Sequence, residues 1–144
     1  MRATKKYFNR SFVEANLRLF RAKLDKGFPL TAFYKKGNGI KTILNHTGRF
    51  TDFKGVFFIV DYRNTPILAS ESKHVIQDIQ NLVRGRRVKD RKYLKKLSQK
   101  YGYSTLLAGQ EYMKDMHVNW IELPDQAERI LLRKFLKPEV VIKA

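Results

Sequence analysis

Cysteine is absent from the 144 residues, which excludes disulfides, thiol catalysis and cysteine-ligated zinc together and is compatible with a reducing cytoplasm. Acidic residues are scarce, thirteen against thirty Lys and Arg, so a paired carboxylate site for acid–base chemistry is hard to assemble. The chain holds no apolar run of about eighteen residues, so no transmembrane helix and no membrane partner are expected. Met1–Lys6 lacks the apolar stretch of a signal peptide. GxxxxGK[ST] and GxGxxG are both missing, and Gly37 and Gly39 mark only a turn. The three histidines, His46, His74 and His117, lie too far apart for ligand spacings such as HxxxH.

What is present is a basic chain of single-domain size. Apolar residues make up 43%, enough for one core. The net charge is +17, a balance that creates a strong positive field and favours polyanions. Nucleic acid is the leading partner, through counterion release at phosphates, with DNA favoured over RNA. The expected location is the cytoplasm, at the nucleoid in a bacterial or phage setting.

Local patterns give the element order. Residues 11–26 read as a helix, with Ser11 and Glu14 as a capping box and Val13, Leu17, Phe20 and Leu24 as its apolar face. Gly27 and Pro29 close it, and Arg18 and Arg21 lie opposite. LTAFYKK after Pro29 reads as a strand, and IKTILNHTG as a short helix ending at Gly48. GVFFIVD, residues 55–61, is β-branched and aromatic and reads as a central strand. A turn over 62–65 leads to a short strand that Pro66 opens. A helix follows from about Ser72, with Val75, Ile76, Ile79, Leu82 and Val83 facing inward, and Gly85 breaks the chain before another. Residues 104–112 read as a strand with a bulge at Gly109, and 117–123 as either a further strand or a lead-in to the last helix. Pro124-Asp125 starts a last helix, with Ala127, Ile130, Leu131, Leu132 and Phe135 buried and Pro138 as its stop. The fold class is α+β, a small antiparallel or mixed sheet flanked by helices. A basic helical extension over residues 1–50 packs on a core over 51–144.

Residues 84–100 hold nine Lys or Arg against one Asp, more than solubility requires. Arg84, Arg86, Arg87, Lys89, Arg91, Lys92, Lys95 and Lys96, with Lys73, Arg18 and Arg21, form the expected nucleic-acid surface. Tyr7, Phe8, Tyr34, Tyr101 and Tyr103 lie beside cations, where some can stack on bases, and Trp120 is assigned to the core.

Gly55-Val56-Phe57, then Leu68-Ala69-Ser70 with Ser72-Lys73-His74, then the RKYLKKLSQKYGY stretch over 91–103 and Glu128 ahead of Pro138 together resemble the GIY-YIG nuclease family over roughly residues 54–140. The order and spacing carry the resemblance. It implies a GIY-YIG-like core whose first motif tyrosine has become Phe57, with no hydroxyl to activate water. The second motif tyrosine has become Leu68, its glycine Ser70, and the phosphate-stabilising helix arginine Asp78. Glu128 is what remains, as a candidate metal ligand, with His74 as a candidate for proton transfer. Such a chain is expected to bind DNA through its basic helices without requiring a cofactor. The alternatives are a divergent endonuclease using Glu128 with Mg²⁺ or Mn²⁺, and an interaction module or inhibitor with a protein target in a nucleic-acid machine.

Overall fold

The computed structural model describes residues 2–101, 113–137 and 140, with side chains from residue 10 onward except that of Tyr101. The expected strand over 104–112, Tyr103 and the Pro138 stop lie outside these residues. The described elements are α1 (Arg2–Ala22), β1 (Phe28–Pro29), a 3₁₀ turn (Leu30–Phe33), α2 (Ile40–His46), β2 (Gly55–Val60), β3 (Pro66–Ser72), α3 (Val75–Arg84), α4 (Val88–Tyr101), a second 3₁₀ turn (Met113–Asp115), β4 (His117–Glu122) and α5 (Gln126–Leu136). The fold is mixed helix and sheet, with the four strands antiparallel in the order β1-β4-β2-β3.

β2 is the centre. It pairs with β3 on one edge and β4 on the other, and all six of its residues are buried. Successive side chains of a strand point to opposite faces. Phe57 and Ile59 join the core formed with α2, α3, α4 and the first 3₁₀ turn, whereas Val56, Phe58 and Val60 join the core formed with α1 and α5. A strand covered on both faces reads as an unbroken apolar run, which is why it is legible in the sequence. Its Gly55 is a packing requirement, since a Cβ there would lie 2.4 Å from the Ile121 carbonyl oxygen of β4.

The hairpin turn is built by Asp61, whose carboxylate accepts from the amides of Arg63 and Thr65 at 2.8 and 3.0 Å, with Asn64 at φ 62°. β3 runs to Ser72, three residues beyond the expected Ala69. α3 follows with the expected inward face buried, and Gly85 closes it at φ 61°, the left-handed cap a glycine adopts most cheaply.

Three expectations are corrected. α1 starts at Arg2, so Ser11 is not its cap. Nothing between residues 2 and 10 breaks a helix, and Glu14 bonds Arg10 instead of closing a capping box. The segment after Pro29 is a 3₁₀ turn rather than a strand. Only Phe28 and Pro29 pair, at the sheet edge where a proline is tolerated. In α5 the buried face is Arg129, Leu132 and Leu136, not that of Ala127, Ile130 and Phe135, which are exposed. Leu30, Phe33, Ile43 and Leu44 share the core that holds Phe57.

Candidate nucleic-acid interface and the apolar cleft

α4 carries one carboxylate, Asp90, and turns it inward at 1% exposure. There it receives the Arg87 guanidinium at 2.6 and 2.9 Å and the Arg87 amide at 3.1 Å. Leu94 and Leu97 bury the same side of the helix. The outer side is left with Lys89, Lys92, Lys95 and Lys100 exposed and Lys96 half-buried. At 1.5 Å per residue these cations extend over about 16 Å.

The arginines of this stretch are used differently. Arg84 donates to the carbonyls of Phe33 and Asn38 at 3.1 and 2.9 Å, holding the loop before α2 against α3. Burial, then the charge of Arg86, lowers its pKa. Arg86 reaches the side-chain oxygens of Gln80 and Asn81, both at 3.3 Å, and Arg91 reaches the carbonyls of Gly85 and Arg86. Arg87 bridges Asp90 and Asp78, and those hydrogen bonds, to Asp90 first, raise its pKa. Arg84 and Arg87, expected on the phosphate-facing surface, are therefore occupied with protein acceptors. The sequence gives no sign of this, because a guanidinium that satisfies carbonyls reads like one that meets solvent.

Arg18 and Arg21 are exposed on α1, which packs on the sheet face opposite α3 and α4. They and the α4 lysines thus belong to different sides of the molecule. Lys73 is exposed just ahead of α3. Tyr34 is half-buried against the core, and Trp120 is buried with its ring stacked on Phe28 at 5.2 Å. Tyr7, Phe8, Tyr101 and Tyr103 lie outside the described side chains.

Residues from the stretches 55–57 and 68–70 come together in space. Phe57, Leu68, Ser70, Asp78, Leu82, Arg87, Lys89, Asp90 and Tyr93 line one cleft, whose cavity of about 40 Å³ holds a few waters and no nucleotide. Asp78 does not stand there as an open negative charge. It accepts from Ser72 Oγ and pairs with Arg87 Nη1 at 2.8 Å, so its charge is compensated by the guanidinium.

Glu128 is not part of that cleft. It sits half-buried in the first turn of α5, where its amide donates to the capping Asp125 at 2.9 Å. The neighbouring Arg129 is the group that α5 buries, pairing with Glu71 at 3.1 Å and donating to the carbonyls of Leu123 and Pro124. His74 is exposed at the start of α3, its amide bonded to Ser72 Oγ. Among the described residues no group of three or more His, Asp or Glu side chains is placed to hold a metal, and no helix is long and apolar enough to cross a membrane.

No family model, no curated protein sequence and no solved structure matches this chain.

Proposed function

We propose that the protein binds nucleic acid, DNA before RNA, through its basic helices, on a core descended from GIY-YIG nucleases that no longer supports their chemistry. The observation that carries the binding half is α4. Its sole carboxylate is buried against Arg87, and Lys89, Lys92, Lys95 and Lys100 are exposed with no other acidic residue on their own helix. Four such cations over about 16 Å suit a phosphate backbone, and ammonium groups on flexible stems suit it without regard to sequence.

The nuclease-derived core is supported by element order and by convergence. A β2–β3 hairpin, two helices, a strand on the free edge of β2 and a last helix follow one another as the resemblance requires. Phe57, Leu68, Ser70 and Asp78, the four changed positions of the resemblance, meet in one cleft. In that cleft neither residue at a motif tyrosine position, Phe57 or Leu68, carries a hydroxyl, Arg87 is tied to two carboxylates, and Glu128 is elsewhere. Cleavage of a phosphodiester with one metal needs an activated water, charge neutralisation and a held metal. Losing the first two removes interactions worth about 3–4 kcal/mol each in the transition state.

Incubation with plasmid and Mg²⁺ or Mn²⁺, scored for both retardation and nicking, tests both halves. Retardation should weaken steeply with salt, with a log–log slope on the order of −4 if the four exposed lysines meet phosphates. Charge reversal of Lys89, Lys92, Lys95 and Lys100 together should flatten that slope on every sequence, and nicking should stay at background. Wild-type cleavage that disappears in Glu128→Ala would make the chain a divergent metal-dependent endonuclease instead. Retardation unchanged by the lysine reversals would move the interface off α4.

A further inference from the structure

Phe50, in the loop between α2 and β2, is 97% exposed. Its neighbours on both sides are fixed. The Arg49 amide bonds the Leu44 carbonyl at 2.9 Å. The Arg49 guanidinium pairs with Glu122 at 2.7 Å and lies 3.9 Å from the centre of the Phe53 ring. On the other side, Asp52 accepts from the amides of Phe53, Ile76 and Gln77 at 2.8, 2.9 and 2.9 Å, and the Phe53 carbonyl receives the Val75 amide. A phenyl group is thus held out into solvent between two anchored residues, where it contributes nothing to the core. Cations lie on the neighbouring segments: Lys54 follows Phe53, and Lys73 is two residues before Val75, whose amide bonds the Phe53 carbonyl. Lys54 and Lys73 are exposed, and Lys23 lies close enough to Arg49 for their charges to interact. Of the nearby acids, Glu122 is paired with Arg49 and Asp52 is spent on three amides.

We infer that Phe50 is a base-stacking residue for single-stranded nucleic acid. An exposed aromatic ring on an anchored segment that carries cations is an arrangement that can hold unpaired bases by their faces while the cations hold the backbone. This inference rests on the nucleic-acid reading above but concerns a different surface and a different force. The α4 lysines act through charge and fade with salt. Stacking on Phe50 acts through contact area and persists.

The test is fluorescence anisotropy of a labelled oligothymidylate against wild type, Phe50→Ala and Phe50→Tyr over a range of salt. Phe50→Ala should bind roughly five- to a hundred-fold more weakly, with the salt slope and the melting temperature of the protein both unchanged. Phe50→Tyr keeps a ring of the same size and should bind within about two-fold of wild type. Wild-type affinity in Phe50→Ala, or a Tyr variant as weak as the Ala variant, would overturn the stacking role while leaving the α4 interface standing. A wild type that binds neither oligothymidylate nor duplex would overturn the nucleic-acid reading itself, and the stacking role with it.

Discussion

Phe57 is buried, and its ring lines the cleft beside Leu68 and Leu82. Truncating a buried phenylalanine removes transfer free energy and leaves a cavity. Phe57→Ala should therefore lower unfolding stability by about 3–5 kcal/mol in a urea titration. A loss under about 1 kcal/mol would mean that the position is not packing the core. The burial of Phe57 is legible in the sequence, because β2 reads as an unbroken apolar run. The fate of Asp78 is not. Its pairing with Arg87 depends on the turn at Gly85 bringing two charges together across nine positions, which no local pattern encodes. Arg129 was equally illegible. A buried arginine that satisfies two carbonyls and a carboxylate looks, in a string of letters, like one more surface cation, and the apolar face assigned to α5 was rotated accordingly.

At the level of elements, the legible ones are those whose stop signals are local. β2, the Asp61 turn, α3 with its Gly85 cap, and α5 with its Asp125 cap all carry their boundaries in adjacent residues. The start of α3 is different. His74 occupies the capping position but its side chain bonds nothing in the helix. The carboxylate that accepts the first free amides is Asp52, more than twenty residues upstream. Asp52→Ala should cost about 1–2 kcal/mol, the upper part of the range for a lost helix cap, read as a fall in the urea midpoint with m unchanged. An unchanged midpoint would mean that water replaces the carboxylate without loss. The arginine–lysine division in α4 also belongs to this scale. Sequence reading treated 84–96 as one cationic surface, whereas the arginines fasten the α3–α4 connection and the lysines are left outward.

For the whole molecule, a net charge of +17 means self-repulsion in the compact state. Lys23 adds a specific share, because burial, and then the charge of Arg49, lowers its pKa below the ordinary lysine value. Below the depressed value Lys23 is charged both folded and unfolded, and folding bears the full penalty. Between that value and the ordinary one near pH 10, the unfolded chain holds the extra proton, so stability rises with pH. Urea midpoints measured from about pH 8 to about pH 10 should climb, and Lys23→Met should be more stable at the lower end with a shallower climb. A midpoint equally steep in the variant would assign the effect to overall charge alone. The division of the molecule by its sheet has a consequence of another kind. β2 is bonded along both edges and covered on both faces, so no partial opening can release it short of global unfolding. Among the described residues α4 is attached by one apolar side, the Arg87 clamp and the Arg91 bonds to the Gly85 and Arg86 carbonyls, and a helix so held opens at a lower free energy than a sheet centre. The surface that would meet a polyanion can thus adjust its shape to the partner while the centre of the sheet keeps the fold intact.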